Sequence, residues 1–325
     1  MPKFLVTGAA GFLGFALAKS LADEASNEVV IVDNFVRGER DEAYEALRAR
    51  PNVRAFDLDL CYLEAVRTLP TDVDVVFHMA ALNGTQNFYE RPFEVVRCCT
   101  LPTMHLLEVY GPSKTLQRFV YAGTSEAYAA TVTLFGWEVP TAEDVPLGIA
   151  DVFNVRWSYG GSKMHGEVAA VAAAAHFKLP ITIARYHNAY GPRMGDKHVV
   201  PDFLNRARSG VFELNGFEDT RSFIFVDDAV RATIALSQAA GAVGEVVNIG
   251  GDQEIRMDDL ARIIMEVSGL VGEIAMNPSP PGSVKRRAPK LDKLRRLTGY
   301  APQVTLRDGL RETAKYYLGD AYRGA

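Results

Sequence analysis

Two side chains capable of acid–base chemistry, Tyr159 and Lys163, stand four residues apart at the head of an alanine- and valine-rich run. The run reads as a helix, and a spacing of four residues puts both side chains on one helix face. An ammonium beside a phenol favours the phenolate and lowers the pKa of the tyrosine, so the pair could take a proton from an alcohol. Such pairs are frequent by chance, so their meaning depends on what the rest of the chain places around them.

A glycine-rich segment near the amino terminus could hold a phosphate. Gly8, Gly11 and Gly14 follow a short apolar strand and lead into an amphipathic helix. The first two glycines allow a tight turn and a close approach to a phosphate, and the third allows the helix to pack closely on the sheet. Phe12 and Leu13 begin this helix, whose free N–H groups would face a pyrophosphate, so they belong to the expected dinucleotide-binding loop.

An acidic residue ends the second predicted strand. Asp33 lies 19 residues after Gly14 and is followed by Asn34. This is about where a carboxylate would bind the ribose hydroxyls of an adenosine. The carboxylate would repel a 2′-phosphate, which favours NAD over NADP, although Arg37 nearby would attract such a phosphate.

Predicted strands and helical segments alternate through the first half of the chain. The strands are expected at 3–7, 28–32, 53–56, 73–78, 116–121 and 180–186. This alternation predicts an α/β fold with a Rossmann-type, doubly wound parallel sheet, in which ligands bind beyond the carboxyl ends of the strands. The residues at or just after these ends include Asp57, Leu58, Ala80, Ala81, Thr124 and Tyr186. Together with the glycine loop they predict one shared site.

Composition narrows the class of protein. The chain has 325 residues, 48% of them hydrophobic, which is enough for a large core, and its net charge of −5 gives no reason to expect a nucleic-acid partner. The sequence contains no run of 18 apolar residues, so we expect no membrane span. The residues before the first predicted strand do not have the pattern of a signal peptide. The three cysteines, Cys61, Cys98 and Cys99, form neither a disulfide framework nor a metal-ligand pattern, so we expect a cytoplasmic protein with no metal.

Eight short motifs in chain order carry a family resemblance. They are T-G-A-A-G-F-L-G at 7–14, V-D-N at 32–34, F-D-L at 56–58, H-M-A-A at 78–81, T-S-E-A-Y at 124–128, Y-G-G-S-K at 159–163, R-Y-H-N-A-Y-G-P-R at 185–193 and T-R-S-F-I-F-V-D-D at 220–228. Each motif is weak alone, but eight in order at matching spacing are specific. On these motifs nearly the whole chain resembles the extended short-chain dehydrogenase/reductase family, in particular its NAD-dependent nucleotide-sugar epimerases and dehydratases.

The resemblance implies roles for the residues already singled out. Tyr159 would remove the proton from a sugar hydroxyl, usually at C4, while Lys163 holds the nicotinamide ribose and Thr124 hydrogen-bonds the same sugar oxygen. A hydride would pass to NAD and leave a 4-ketone, which acidifies the neighbouring C–H bonds before the hydride returns. Asn188 and Arg221 match positions that bind the nucleotide diphosphate, the arginine by charge-assisted hydrogen bonds.

Other motifs leave the branch of the family open. Thr124-Ser125-Glu126 is similar to the dehydratases and sugar-acid decarboxylases, in which the glutamate is an acid/base near C5 or orients the departing group. Arg287 lies in an Arg-x-Pro segment similar to one in the decarboxylases, where an arginine can meet a carboxylate or a phosphate. Ser125 and Arg287 are therefore assigned to the substrate. We expect Ala130 to Trp157 to be a loop that shapes the sugar pocket.

A second resemblance favours epimerisation. R-Y-H-N at 185–188 with T-R-S-F at 220–223 resembles GDP-mannose 3,5-epimerases, which place a lysine near the position of His198. His198, with Val199 beside it, is therefore assigned to the substrate side, and it could form a proton-transfer pair with Glu126 on opposite faces of the sugar, because a histidine pKa lies near 7. A loop histidine that meets solvent or phosphate is the simpler interpretation.

We therefore expect an NAD-dependent enzyme that oxidises a nucleotide sugar at C4, with net epimerisation narrowly favoured over 4,6-dehydration or decarboxylation. An NAD- or nucleotide-sensing binding protein is the non-enzymatic alternative, against which the intact Tyr159, Lys163 and Thr124 argue. We expect an NAD-binding Rossmann domain over residues 1–178, which also receives strands near 180–187 and 222–250. Residues 188–325 would be mostly a smaller, interleaved α/β domain for the nucleotide sugar. Relatives of this kind are often homodimers through two long helices.

Overall fold

The computed structural model describes residues 1–196, 198–279 and 284–324, and within them seven parallel strands form the central sheet. In chain order these strands are β1 (Lys3–Thr7), β2 (Glu28–Asp33), β3 (Val53–Asp57), β4 (Val75–His78), β5 (Arg118–Thr124), β6 (Ile181–Tyr186) and, after four short strands, β11 (Val246–Ile249). Across the sheet they run β3-β2-β1-β4-β5-β6-β11. The predicted Rossmann-type α/β fold is confirmed.

The strands are apolar because helices cover the sheet on both faces. In β2, Val29 and Ile31 point into one core, while Val30 and Val32 point into the other. Parallel strands buried in this way read as continuous runs of β-branched residues, without the alternation of a half-exposed strand. This pattern let the strands be predicted within two or three residues of their observed bounds.

The described helices cover the sheet on both faces and also build a second part of the molecule. They are α1 (Phe12–Ala22), α2 (Glu42–Arg48), α3 (Leu63–Arg67), α4 (Thr85–Glu90), α5 (Pro92–Tyr110), α6 (Ala129–Phe135), α7 (Trp157–Phe177), α8 (Val199–Arg208), α9 (Val226–Gln238), α10 (Met257–Ser268), α11 (Asp292–Thr298) and α12 (Leu306–Leu318). Helices α5 and α7 pack side by side on one face of the sheet, and α1 and α9 lie on the other. Helices α8, α10 and α12 pack on one another in the second part.

The prediction that 130–157 is a loop is wrong at its amino-terminal end. A 3₁₀ turn, Ser125–Tyr128, leaves β5 directly, and α6 continues from it through Phe135. The Thr124 hydroxyl oxygen accepts the Glu126 N–H at 3.2 Å, so the turn has an N-cap, and the alanines that follow favour helix.

Short strands build three small sheets in the remaining chain. Strand β7 (Ala189–Tyr190) pairs with β10 (Ile224–Phe225), and β8 (Val211–Asn215) pairs with β13 (Glu273–Asn277). Strand β9 (Thr220–Ser222) lies between β12 (Glu254–Arg256) and β14 (Arg286–Arg287). The parallel pairing of β9 with β14 sets Arg221 opposite Arg287.

The chain passes between the central sheet and the small sheets more than once. Of the residues 222–250, the stretch Val246–Ile249 joins the central sheet, whereas Ile224–Phe225 belongs to a small one. The division into domains 1–178 and 188–325 stays a prediction. None of the helices in the described segments is both long and apolar enough to cross a membrane.

Candidate active site

The carboxyl ends of the central strands open onto one cleft, which collects most of the predicted site residues. Those that line it are Gly8, Gly11, Phe12, Leu13, Gly14, Asp33, Asn34, Leu58, Ala80, Ala81, Thr124, Ser125, Glu126, Tyr159, Lys163, Tyr186, Asn188, His198 and Arg287. They come from six of the seven strands' ends or from elements packed on them. The expected shared site at this edge of the sheet is therefore present as a cavity.

Three predicted site residues do not line the cleft. The carboxylate of Asp57 is ion-paired with Arg40 and Arg48 on the surface, so its neighbour Leu58 faces the cleft in its place. Val199 is the first residue of α8 and is 39% exposed. Arg221 lies beside the cleft, because its guanidinium donates to the backbone carbonyls of Thr220, Val284 and Lys285.

The glycine loop packs tightly against the protein backbone at two of its three glycines. Gly8 has φ +71°, and a Cβ there would lie 2.8 Å from the backbone of Ala80. A Cβ at Gly14 would lie 2.1 Å from the carbonyl oxygen of Gly8. Helix α1 follows at once and carries no acidic residue in its first turn, so its free N–H groups face the cleft with no competing anion. These residues fit NAD.

Asp33 is placed to bind ribose hydroxyls at the end of β2. Its buried carboxylate accepts the N–H of Ala10 at 2.9 Å and the N–H of Phe35 at 2.8 Å. Burial raises the pKa of Asp33, although these N–H groups oppose the shift. Arg37, which could have favoured NADP, does not pair with Asp33; its guanidinium contacts Nε2 of His198 at 2.9 Å.

Tyr159 is buried and held on two sides. Its ring stacks on Phe88 at a centroid distance of 5.2 Å and an angle of 11°, and Thr124 hydrogen-bonds its hydroxyl. Burial raises the pKa of Tyr159, and the charge of Arg37 and the Thr124 hydrogen bond only partly oppose that shift. The expectation that Lys163 lowers this pKa is therefore outweighed by burial in the protein alone.

Lys163 lies beneath the cleft, one helical turn after Tyr159. Its side chain is buried, its Nζ donates to the carbonyl of Ala122 at 2.8 Å, and it lies 4.9 Å from the centroid of the Tyr121 ring. Burial lowers the pKa of Lys163. The ammonium is thus fixed at the end of β5 with donors left for a ribose hydroxyl.

Glu126 lies between two arginines at the other end of the cleft. Its Oε1 accepts from Nη1 of Arg287 at 2.7 Å, and its Oε2 is 3.1 Å from Nη2 of Arg156. Burial alone would raise the pKa of Glu126, but the charges of the two arginines outweigh burial and hold that pKa below its usual range. The group is therefore a carboxylate, and with its two partners it carries one net positive charge.

His198 lines the same cleft as Glu126, at the N-cap position of α8. Its Nε2 contacts Arg37, and burial together with the charge of Arg37 lowers the pKa of His198 to about 4. Near pH 7 it is therefore neutral, and its proton transfer with Glu126 across a bound sugar stays a prediction.

Sequence reasoning missed two side chains that shape this site. Phe88, from α4, has no local signal that predicts its contact with Tyr159, because the two are brought together only by the fold. Arg156 stands three residues before Tyr159, and that spacing on a helix start was a signal that could have been used.

Comparisons with known proteins agree with this geometry. The model of the NAD dependent epimerase/dehydratase family matches residues 4–250. A UDP-N-acetyl-alpha-D-glucosaminuronate decarboxylase from Bacillus cytotoxicus is 31% identical over 97% of this chain and 97% of its own length. A UDP-glucuronic acid decarboxylase from Xenopus tropicalis is 30% identical over 97% of this chain and 72% of its own length.

Among solved structures, a UDP-glucuronic acid 4-epimerase from Bacillus cereus, crystallised with UDP-glucuronic acid and NAD, superposes with a TM-score of 0.85. It is 28% identical, and the match covers 97% of this chain and 98% of that one.

Proposed function

The chain belongs to the NAD-dependent epimerase/dehydratase family of enzymes, and we propose that its substrate is a nucleotide sugar whose hexose carries a carboxylate. We further propose that it oxidises this sugar at C4 and then releases the carboxylate as carbon dioxide. The observation that carries the proposal is the group of Arg156, Glu126 and Arg287 beside Tyr159.

The charge of that group selects an anion. Two guanidinium groups face one carboxylate, and Arg221 adds a third cation close by. Burial, and then the charge of Arg287, lower the pKa of Arg221 to about 10, although Asp219, 3.8 Å from its guanidinium, opposes that shift. An uncharged hexose would leave the net positive charge of the Arg156, Glu126 and Arg287 group without a partner. A carboxylate on C5 would instead form charge-assisted hydrogen bonds with a planar guanidinium.

The relatives support the same substrate class. The two decarboxylases are named for UDP-linked sugar acids, and the 4-epimerase was crystallised with UDP-glucuronic acid. These substrates share a carboxylate at C6 of the sugar, which is the feature that the arginines are suited to bind.

The first step uses the residues at the end of β5 and the start of α7. Tyr159 takes the proton of the C4 hydroxyl while Thr124 hydrogen-bonds the same oxygen, and Lys163 stabilises the phenolate and holds a ribose. Bound NAD supplies the acceptor for the C4 hydride and returns the hydride at the end. Asn188 and Arg221 are proposed to hold the nucleotide diphosphate, with Ser125 and His198 lining the sugar.

The second step follows from the product of the first. A ketone at C4 makes the C6 carboxylate a β-keto acid, in which the C5–C6 bond can break with its electron pair passing to the C4 oxygen. Tyr159 and Thr124 stabilise the resulting enolate by hydrogen bonds, and C5 then takes a proton from solvent, which restores the C4 ketone for the returning hydride. The negative charge of Glu126 repels the carboxylate of the substrate. This repulsion ends when the carboxylate leaves as neutral carbon dioxide.

Epimerisation at C4 is the second candidate. It is favoured by the likeness to the Bacillus cereus 4-epimerase, which covers nearly the whole of both chains. In that case Arg287 would hold the carboxylate firmly enough to keep it, and the ketone would be reduced again from its other face.

The experiment is incubation of the purified protein and NAD with a panel of nucleotide sugars in deuterated water. The panel contains UDP-glucuronate, UDP-N-acetylglucosaminuronate, UDP-glucose, UDP-galactose and dTDP-glucose, with NMR identification of products and an assay for carbon dioxide. We expect turnover of the acidic sugars, with carbon dioxide released and deuterium incorporated at C5. Inverted C4 with the carboxylate retained would establish the second candidate, and turnover of the neutral sugars alone would reject both.

Assembly and location are proposals of the same kind. We propose a homodimer, because the outer faces of α5 and α7 leave large apolar side chains exposed. They include Phe93, Leu101, Met104, Val168 and Val171. The three free cysteines fit a reducing cytoplasm, which is the proposed location.

A further inference from the structure

The two arginines on Glu126 occupy different positions. Arg287 lines the cleft and has Arg221 opposite it across the β9–β14 pair. Arg156 caps the amino terminus of α7, outside the set of residues that line the cleft, and its guanidinium lies 5.4 Å from the centroid of the Trp157 ring. Arg287 can therefore reach a ligand, whereas Arg156 faces Glu126 from behind.

Arg287 is also the arginine that an incoming anion would attract. Its neighbour Arg221 is held by three backbone carbonyls and repels it. A substrate carboxylate would bring Arg287 a second acceptor and weaken its bond to Glu126. At that moment Glu126 would keep Arg156 as its counter-charge.

We propose that Arg156 is a positioning residue that keeps Glu126 ionised and in place while Arg287 turns to the acidic group of the substrate. The inference rests on the proposed sugar-acid substrate, and it gives Arg156, counted so far only for its charge, a separate role in holding Glu126. In this proposal Arg287 changes its partner from Glu126 to the ligand, whereas Arg156 stays paired with Glu126.

The same ion pair joins the two elements that hold the substrate oxygen. Arg156 lies three residues before Tyr159, and Glu126 lies two residues after Thr124, whose hydroxyl oxygen accepts the Glu126 N–H. A Cβ at Gly160 would lie 3.8 Å from the Cβ of Glu126, so the start of α7 and the turn after β5 are already close. Arg156 thereby fixes Thr124 relative to Tyr159.

The expected signature is a pH effect. The charged and titratable groups that face Glu126 are Arg156 and Tyr159 from the start of α7, and Arg221 and Arg287 from β9 and β14. Loss of Arg156 removes one positive charge, so the pKa of Glu126 rises, most of all when a bound sugar acid occupies Arg287. The acidic limb of the kcat profile, which reports the enzyme–substrate complex, then moves to higher pH.

The test compares Arg156→Gln and Arg156→Lys with Arg262→Gln, a control on the exposed side of α10. With UDP-glucuronate as substrate, we expect the acidic limb of Arg156→Gln to move up by about one pH unit, a roughly tenfold loss of kcat at the acidic end, and KM to rise by less than kcat falls. Arg156→Lys should restore most of the loss, and the control should match the wild type. A profile of Arg156→Gln that coincides with the wild type would overturn the proposal.

A double-mutant cycle keeps the test decisive if Arg156→Gln is poorly folded. Since Arg156 acts through Glu126, Arg156→Met should slow the single-turnover release of carbon dioxide several-fold in the wild type, but less than twofold when it is added to Glu126→Gln. The same additional loss with and without Glu126→Gln would contradict the proposal. Failure of the proposed function looks different, because the wild type itself would then leave UDP-glucuronate unchanged.

Discussion

Tyr159 lies between an aromatic ring and a hydroxyl, Phe88 stacking on its ring and Thr124 bonding its oxygen. This arrangement removes rotational freedom from the phenol before a substrate binds, which is how a positioned base reduces the entropy cost of proton transfer. It also keeps water away, and burial raises the pKa of Tyr159. Ionisation of this tyrosine therefore depends on charge brought in by ligands.

Replacement of Tyr159 by phenylalanine tests its role directly. The variant keeps the stacking ring and loses the proton acceptor, so we expect turnover to fall at least a hundredfold, within the range for loss of a general base. Binding of NAD, measured by titration calorimetry, should stay within about twofold of the wild type. Near-normal turnover would refute the assignment.

Two buried histidines, His78 and His187, are neutral near pH 7. His78 bonds Thr7 through Nδ1 and Thr103 through Nε2, each at 2.9 Å. His187 bonds Asn248 at 3.0 Å. Burial is the main cause that lowers the pKa of each histidine to about 3. These side chains support the cofactor and sugar regions without titrating near pH 7.

The neutral histidines predict acid sensitivity. Below pH 6.5 the unfolded chain gains protons at these positions while the folded chain does not, until about pH 3. The free energy of unfolding should therefore fall by about 1.4 kcal/mol per pH unit for each histidine. The free energy of unfolding, measured by urea titration at several pH values between 6.5 and 5, should depend less steeply on pH in His187→Gln than in the wild type. His176→Gln, at an exposed position, should keep the wild-type slope, and equal slopes in all three proteins would exclude this explanation.

Among single residues, those that belong to a sequence motif were predicted, and those that come together only in the folded chain were not. The glycine loop, Asp33 and Lys163 were predicted from short-range spacing, and the role of Thr124 from the family resemblance. Phe88 was not predicted, since its contact with Tyr159 depends on how α4 sits against α7. The contact of His198 with Arg37 was not predicted either, because the two residues are 161 positions apart in the sequence.

Among the elements, α7 depends on a close approach to β5. A Cβ at Gly166 would lie 2.0 Å from the hydroxyl oxygen of Tyr121, whose ring lies beneath the Lys163 ammonium. The glycine therefore sets the depth of the helix that carries both members of the tyrosine–lysine pair. Its role is steric, since a larger residue would have to push Tyr121 or α7 aside.

Gly166→Ala should consequently destabilise the protein and weaken the cofactor site. We expect a loss of about 1–3 kcal/mol in the free energy of unfolding and a lower affinity for NAD, measured by urea titration and calorimetry. Gly161→Ala is the matched control on the same helix, because its nearest neighbour is the flexible end of Ile149 at 3.1 Å. The idea fails if the two variants are equally stable.

The elements that sequence reasoning predicted best are those with a long, one-sided or continuous apolar pattern. The central strands, helix α1 after the glycine loop and helix α7 with Tyr159 belong to this group. Helices Ala129–Phe135 and Val199–Arg208 and the pair β8–β13 were not predicted. The strands Ala189–Tyr190 and Ile224–Phe225 are only two residues long, so they carry no periodicity and exist because a partner strand lies beside them.

For the whole molecule, the apolar outer faces of α5 and α7 predict how two copies meet. Val171 is 53% exposed there, and Leu101 and Met104 are exposed on the neighbouring helix. Val171→Glu should place charge in a desolvated interface and convert dimers to monomers in light scattering after gel filtration. Val271→Glu, on a side chain 92% exposed away from these helices, should leave the mass unchanged. A monomeric wild type would remove the proposal.

The order of the sheet limits how the chain can be cut. A fragment ending at residue 178 would lack Ile181–Tyr186 and Val246–Ile249, and β5 would become an open edge with unpaired backbone groups. It would also leave Glu167 buried without Arg185, whose guanidinium holds it at 2.7 and 2.9 Å. A hybrid enzyme with an exchanged substrate-binding part must therefore keep residues 1–186 together and be spliced on both sides of Val246–Ile249. The central sheet is contiguous in space but is assembled from two separate stretches of the chain.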